Sequence, residues 1–179
     1  MGALVCVGMT ASPAHGREAE TPEAHLGQHH EDHPNLIGSR VGLWGVAERE
    51  HGETVYRPGF FVGLSYERVI LHDWLEVEVS VPLATLEAEE PELIMPMDLH
   101  FKLPFHPDPS LSPYLAAGPA LDLILRPDLE VFPGISFAVG TYWWITDRIG
   151  FDFEVDYNLV FEDELVHELL FATGPVYRF

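Results

Sequence analysis

Polar and apolar residues alternate along most of this chain. The longest example is RIGFDFEVDYNLVF, residues 148–161. Ile149, Phe151, Phe153, Val155, Tyr157, Leu159 and Phe161 share one parity, while Arg148, Gly150, Asp152, Glu154, Asp156 and Asn158 share the other. A period of two belongs to a β-strand with unlike faces; a helix would scatter those charges around its girth. In residues 74–86, Leu75, Val77, Val79, Val81 and Leu83 oppose Glu76, Glu78 and Ser80. In 93–105, Met97, Leu99, Phe101, Leu103 and Phe105 oppose Asp98, His100 and Lys102. In 132–145, Pro133, Ile135, Phe137, Val139, Trp143 and Ile145 oppose Gly134, Ser136, Ala138 and Gly140. Residues 59–69 set Phe60, Val62, Leu64 and Tyr66 against Gly63, Ser65 and Glu67, and 165–179 set Leu169, Phe171, Tyr177 and Phe179 against Glu168, Gly174 and Arg178. The Gly- and Ala-rich segments 36–48 and 112–125 are strand-like, but their pattern leaves the facing open.

Short polar breaks separate these eight segments, among them REHGE near 51, EAEEPE at 87–92, HPDPS at 106–110 and FEDE at 161–164. An even number of adjacent antiparallel strands predicts an all-β, up-and-down meander that removes its edges by closing. A soluble, lipocalin-like barrel would enclose the apolar face; a membrane barrel would turn it to lipid. Three features favour lipid. The polar face mixes charged with small residues, which interleave well in the narrow interior of eight strands. Trp74, Phe105, Tyr142, Trp143, Trp144, Phe161, Tyr177 and Phe179 lie at segment ends, as interfacial aromatic girdles do. The segments also reach the roughly 9–11 residues that cross a bilayer at a tilt. The expected fold is an eight-stranded antiparallel transmembrane β-barrel over 36–179. Its loops near 49–57, 87–92, 125–130 and 161–167 lie at the end opposite the termini.

The N-terminus reads differently. ALVCVGM at 3–9, followed by TASPAHG, has the apolar run and small-residue region of a secretory signal peptide over residues 1–16, without a basic start. Residues 17–35 form an acidic, His-rich arm with few apolar residues, expected to be disordered. Its His25, His29, His30 and His33 can hold a divalent metal weakly; no other cofactor is expected. Cys6 is the single cysteine, so no intrachain disulfide forms.

Charge narrows the function. The 179 residues carry 9 Lys+Arg and 29 Asp+Glu, a formal charge of -20. That excludes the basic footprint of a nucleic-acid binder and the polybasic patch of a peripheral lipid binder. The polar parity places Arg40, Glu67, Glu76, Glu78, Asp98, His100, Lys102, Asp122, Asp152, Glu154, Asp156, Glu168 and Arg178 in the lumen. Buried charges must pair, hold water or protonate. They form either a plug of salt bridges or a narrow cation-favouring path, and eight strands leave little room for a path. No hydrolase motif is evident: His100 has no Ser in its own segment, and His167 sits beside Glu168 at the last turn.

The signal-like start, the eight alternating segments and the last strand LLFATGPVYRF together resemble the small outer-membrane β-barrel proteins of Gram-negative bacteria. The resemblance implies an outer-membrane location among lipid and lipopolysaccharide. It also implies periplasmic chaperones and the barrel-assembly machinery as partners in biogenesis, with Phe171, Tyr177 and Phe179 as the assembly signal. Pro175 departs from a regular strand because it lacks a ladder N–H. Some such barrels modify lipid A with a Ser, a His and an acid, and a minor, porin-like cation pore is a further alternative for this chain. The expected role here is structural, interaction-based or of minor permeability, without evident catalysis.

Overall fold

The computed structural model describes residues 34–50, 53–71, 74–86, 92–105, 110–126 and 129–179. The signal-like segment and the four arm histidines lie outside them. Eight strands run in chain order: β1 Asn35–Glu50, β2 Glu53–Leu71, β3 Leu75–Leu86, β4 Glu92–Pro104, β5 Leu111–Arg126, β6 Glu130–Trp144, β7 Ile149–Phe161 and β8 Leu165–Arg178. Each pairs antiparallel with its sequence neighbours, and β1 also pairs with β8, so the sheet is a closed barrel. Closure matters because a lipid-exposed sheet edge would leave a row of backbone groups without partners. The ring ends on Asn35 and Phe179. Phe179 donates its N–H to the Asn35 carbonyl at 2.9 Å and accepts from the Asn35 N–H at 3.3 Å.

Polarity is inverted relative to a soluble domain. In β7 the pattern sends Asp152, Glu154, Asp156 and Asn158 inward and Phe153 and Tyr157 outward. Leu43 is 67 % exposed and Phe60 61 %, whereas Asp152 is 1 % exposed. An apolar belt around the whole wall far exceeds the few hundred Å² that soluble monomers tolerate, so the medium outside is lipid. Among the described residues no helix is long and apolar enough to span; the crossing elements are strands of 12 to 19 residues.

Three sequence expectations change. Tyr142 and Trp144 do not join the aromatic girdle: they are buried in the lumen, continuing the parity of Ser136 and Ala138. The loop expected over 49–57 is mostly strand, because Glu48, Arg49 and Glu50 pair with Val55, Thr54 and Glu53. Likewise His167 lies within β8, paired with Leu159, instead of in a turn.

The facing left open for β1 and β5 is resolved. Leu36, Arg40, Trp44 and Val46 of β1 point inward, as do Ser112, Tyr114, Ala116, Ala120 and Asp122 of β5. Pro175 has the expected effect on its ladder: β1–β8 pairing skips Ser39–Arg40 against Gly174–Pro175.

Candidate functional site

The lumen is layered. Near the termini, Leu36, Tyr114, Ala116, Ala138, Tyr142, Trp144 and Val176 form an apolar and aromatic layer. Towards the turn end, Trp44, Val46, Phe61, Leu86, Ile94, Val160, Val166 and Leu170 form another. Charged side chains occupy the space between.

At the centre Arg40 projects from β1 and binds three acids. Its guanidinium donates to Glu154 Oε1 at 2.5 Å, Glu78 Oε2 at 2.7 Å and Asp152 Oδ2 at 2.9 Å. The planar fork of arginine suits such multiple recognition. Lys102 is the second cation, wholly buried. Its ammonium lies 2.8 Å from Glu78, 3.2 Å from Glu67 and 3.5 Å from Glu154. It also donates to the Tyr142 hydroxyl at 2.8 Å, which donates onward to Glu67 at 2.6 Å. Lys102 lies over the Tyr114 ring at 4.1 Å. Tyr114 has room for its phenol because residue 140 is Gly; a Cβ there would collide with the Tyr114 hydroxyl. Arg178 stacks on Trp144 at 3.7 Å, with Glu76 and Glu67 nearby.

All thirteen charged and titratable residues expected in the lumen lie buried inside the barrel. The structure joins Arg40, Glu67, Glu78, Lys102, Asp152 and Glu154 into one cluster. Asp98 and Asp156 sit nearer the turn end, and among the described residues neither has a cation within hydrogen-bonding range. Tyr114, Tyr142 and Trp144 are lumen residues that sequence reasoning did not assign. Parity was the available signal: Tyr142 and Trp144 follow Ser136, and Tyr114 shares the parity of Asp122.

Two constellations carry recognisable chemistry. Glu78, His100 and Glu154 present ligand atoms within 4.8 Å of one another, as a metal site does. Both carboxylates are, however, already neutralised by Arg40 and Lys102, so an incoming cation would have to displace a built-in one. His100 Nε2 lies 2.8 Å from Ser136 Oγ, and its Nδ1 lies 4.0 Å from Glu78 Oε1. That is the order of a nucleophile, base and acid. Ser136 is 0 % exposed and His100 1 %, so no substrate reaches the hydroxyl in this conformation. On the outer wall His167 Nδ1 is 2.7 Å from the Tyr157 hydroxyl.

The turn end opens into an acidic bowl of about 520 Å³ bounded by Glu48, Glu130, Glu162, Asp163 and Glu164. Partial burial, with Glu48, Asp122, Glu130 and Glu92 around it, pushes the Glu162 carboxyl up to about 7.

No protein-family model and no curated protein matches this sequence. Solved structures do match the fold. Neisserial surface protein A aligns with a TM-score of 0.63 at 14% identity, over 81% of this chain and 97% of that one. OprG, an outer membrane protein of Pseudomonas aeruginosa, aligns at 0.58 and 13% identity, over 82% and 96%. The N-terminal β-barrel domain of OprF from the same organism aligns at 0.52 and 16% identity, over 79% and 97%. The chain shares their closed barrel fold.

Proposed function

We propose that this chain is a small barrel of the Gram-negative outer membrane, closed to solute flow, that acts by its presence in the membrane and at the cell surface. The observation that carries the reading is the packed lumen: the Arg40–Lys102 cluster lies between two apolar layers, inside a wall whose outer face is apolar. A porin needs a continuous wet path, and eight strands give an interior that side chains fill. Surrounding lipid and lipopolysaccharide are its neighbours. The outward Phe171, Tyr177 and Phe179, the last two stacked at 6.3 Å, are the features that the barrel-assembly machinery and periplasmic chaperones would read. The four arm histidines are assigned at most weak divalent binding on the periplasmic side.

A lipid A hydrolase is disfavoured because the His100–Ser136 pair is enclosed and His167 has only a Tyr hydroxyl as partner. A soluble ligand carrier is disfavoured by the exposed Phe and Leu belt. The test is reconstitution of the folded chain into planar bilayers. Absence of reproducible conductance steps supports a sealed barrel; steady unitary steps overturn it. Mobility that shifts on boiling in a gel of the membrane fraction checks that the barrel was folded.

A further inference from the structure

We propose that the mouth at the turn end binds one divalent cation of the hard, oxygen-seeking class, seated on Asp122 and Glu168. Below the acidic bowl a cavity of about 140 Å³ runs down to these two carboxylates. That volume is several times the roughly 30 Å³ a water occupies in the liquid, so an ion fits with part of its hydration shell. Asp122, 4 % exposed, is one of the residues lining the cavity, and among the described residues its Oδ1 has no hydrogen-bond partner. Glu168 is held in place by the Asn158 amide at 3.2 Å. Asp122 and Glu168 are neighbours, close enough to act directly on each other.

The surroundings strengthen the case. Val46, Ile94 and Ile124 wall the cavity with hydrocarbon, which amplifies every charge interaction within it. Unpaired carboxylates there are costly, and a cation removes that cost. Among the described residues the cation at the rim is Arg57, and it is engaged with Glu92 at 3.1 Å and Glu48 at 3.4 Å. Glu162 stands over the entrance, next to Asp122. The donors are oxygens without imidazole or thiolate, which selects calcium or magnesium over zinc or copper. The lumenal Glu78, His100 and Glu154 set lacks this vacancy of charge, because Arg40 and Lys102 already fill it.

The test is calorimetric titration of Ca²⁺ into the full chain folded in detergent micelles, with folding checked by the boiling-dependent gel shift. One Ca²⁺ per barrel is expected. Asp122→Asn and Glu168→Gln should each weaken it by roughly tenfold or more, at least what loss of a supporting partner costs a metal site. Asp163→Asn, on the outer bowl, should leave affinity nearly unchanged. Ile124→Lys, which delivers an ammonium into the cavity, should abolish binding, and it decides the matter if the acid variants do not fold. Failure of the wild-type barrel to bind Ca²⁺ overturns the proposal. So does equal weakening by Asp163→Asn, or undiminished binding in a folded Asp122→Asn or Ile124→Lys barrel.

Discussion

Pro82 of β3 stands directly across from Pro96 of β4. The register runs unshifted from Ser80↔Asp98 to Ala84↔Ile94, but pairing lapses between those points. Pairing of Pro82 with Gly63 on the β2 side is intact. The missing rung is therefore the one at which both residues should donate to each other, and neither has an N–H to give. The β3–β4 seam is thus locally weak near mid-height. Amides flanking the gap, such as those of Ser80 and Asp98, should exchange with deuterium faster than those of Glu154 and Ala172 on the unbroken β7–β8 seam. Equal protection of the two seams would contradict this.

Arg40 is the keystone of the central cluster. Arg40→Met removes the counter-charge of Glu78, Asp152 and Glu154 and should destabilise the barrel by about 3–5 kcal/mol, the range for breaking a buried ion pair. Arg40→Lys keeps the charge but loses the fork, so its loss should be smaller. Urea unfolding in lipid vesicles reads both.

Ser136 has a structural reading that separates it from a nucleophile. Ser136→Ala leaves His100 Nε2 buried without its partner, at a cost of about 1–3 kcal/mol. The mass of lipid A from cells overexpressing either form should be the same. A lipid change that Ser136→Ala abolishes would restore the enzymatic reading.

The outward belt predicts depth-dependent costs. Phe137, midway along β6, is 48 % exposed, and Phe137→Arg should cost about 2–4 kcal/mol, the range for a charge at the bilayer midplane. Phe161→Arg, at the end of β7, should cost only about 0–1 kcal/mol, as near an interface. Similar costs at both positions would mean that the surrounding medium has no apolar midplane.

Glu162 adds a pH dependence. Its folded pKa of about 7 lies above the ordinary carboxyl value, so between the two the folded state binds the extra proton. The associated stability is present below the unfolded value and is lost as pH rises through about 7. The facing groups are Glu48, Asp122, Glu130 and Glu92. The urea midpoint of the wild-type barrel should fall more steeply from pH 5 to pH 8 than that of Glu162→Gln, with solvent screening limiting the difference.

Alternation along a strand is a local property, and it assigned most faces without any knowledge of neighbours. Phe151, Phe153 and Val155 had to oppose Asp152, Glu154 and Asp156 because successive side chains leave a strand on opposite sides. Chain order and short breaks likewise implied a meander. Residue type misled where it was allowed to override parity: Tyr142 and Trp144 were read as girdle aromatics, yet their positions point inward, to Lys102, Glu67 and Arg178. Partners across the lumen were not legible. Arg40 meets Glu78 and Glu154, each two strands away around the ring, and His100 meets Ser136, two strands on from its own. Those meetings depend on how far each strand slides past the next before the ring closes, which no single segment encodes. Only the closed barrel set which carboxylates met a cation and which, such as Asp122, came to line a cavity at the mouth.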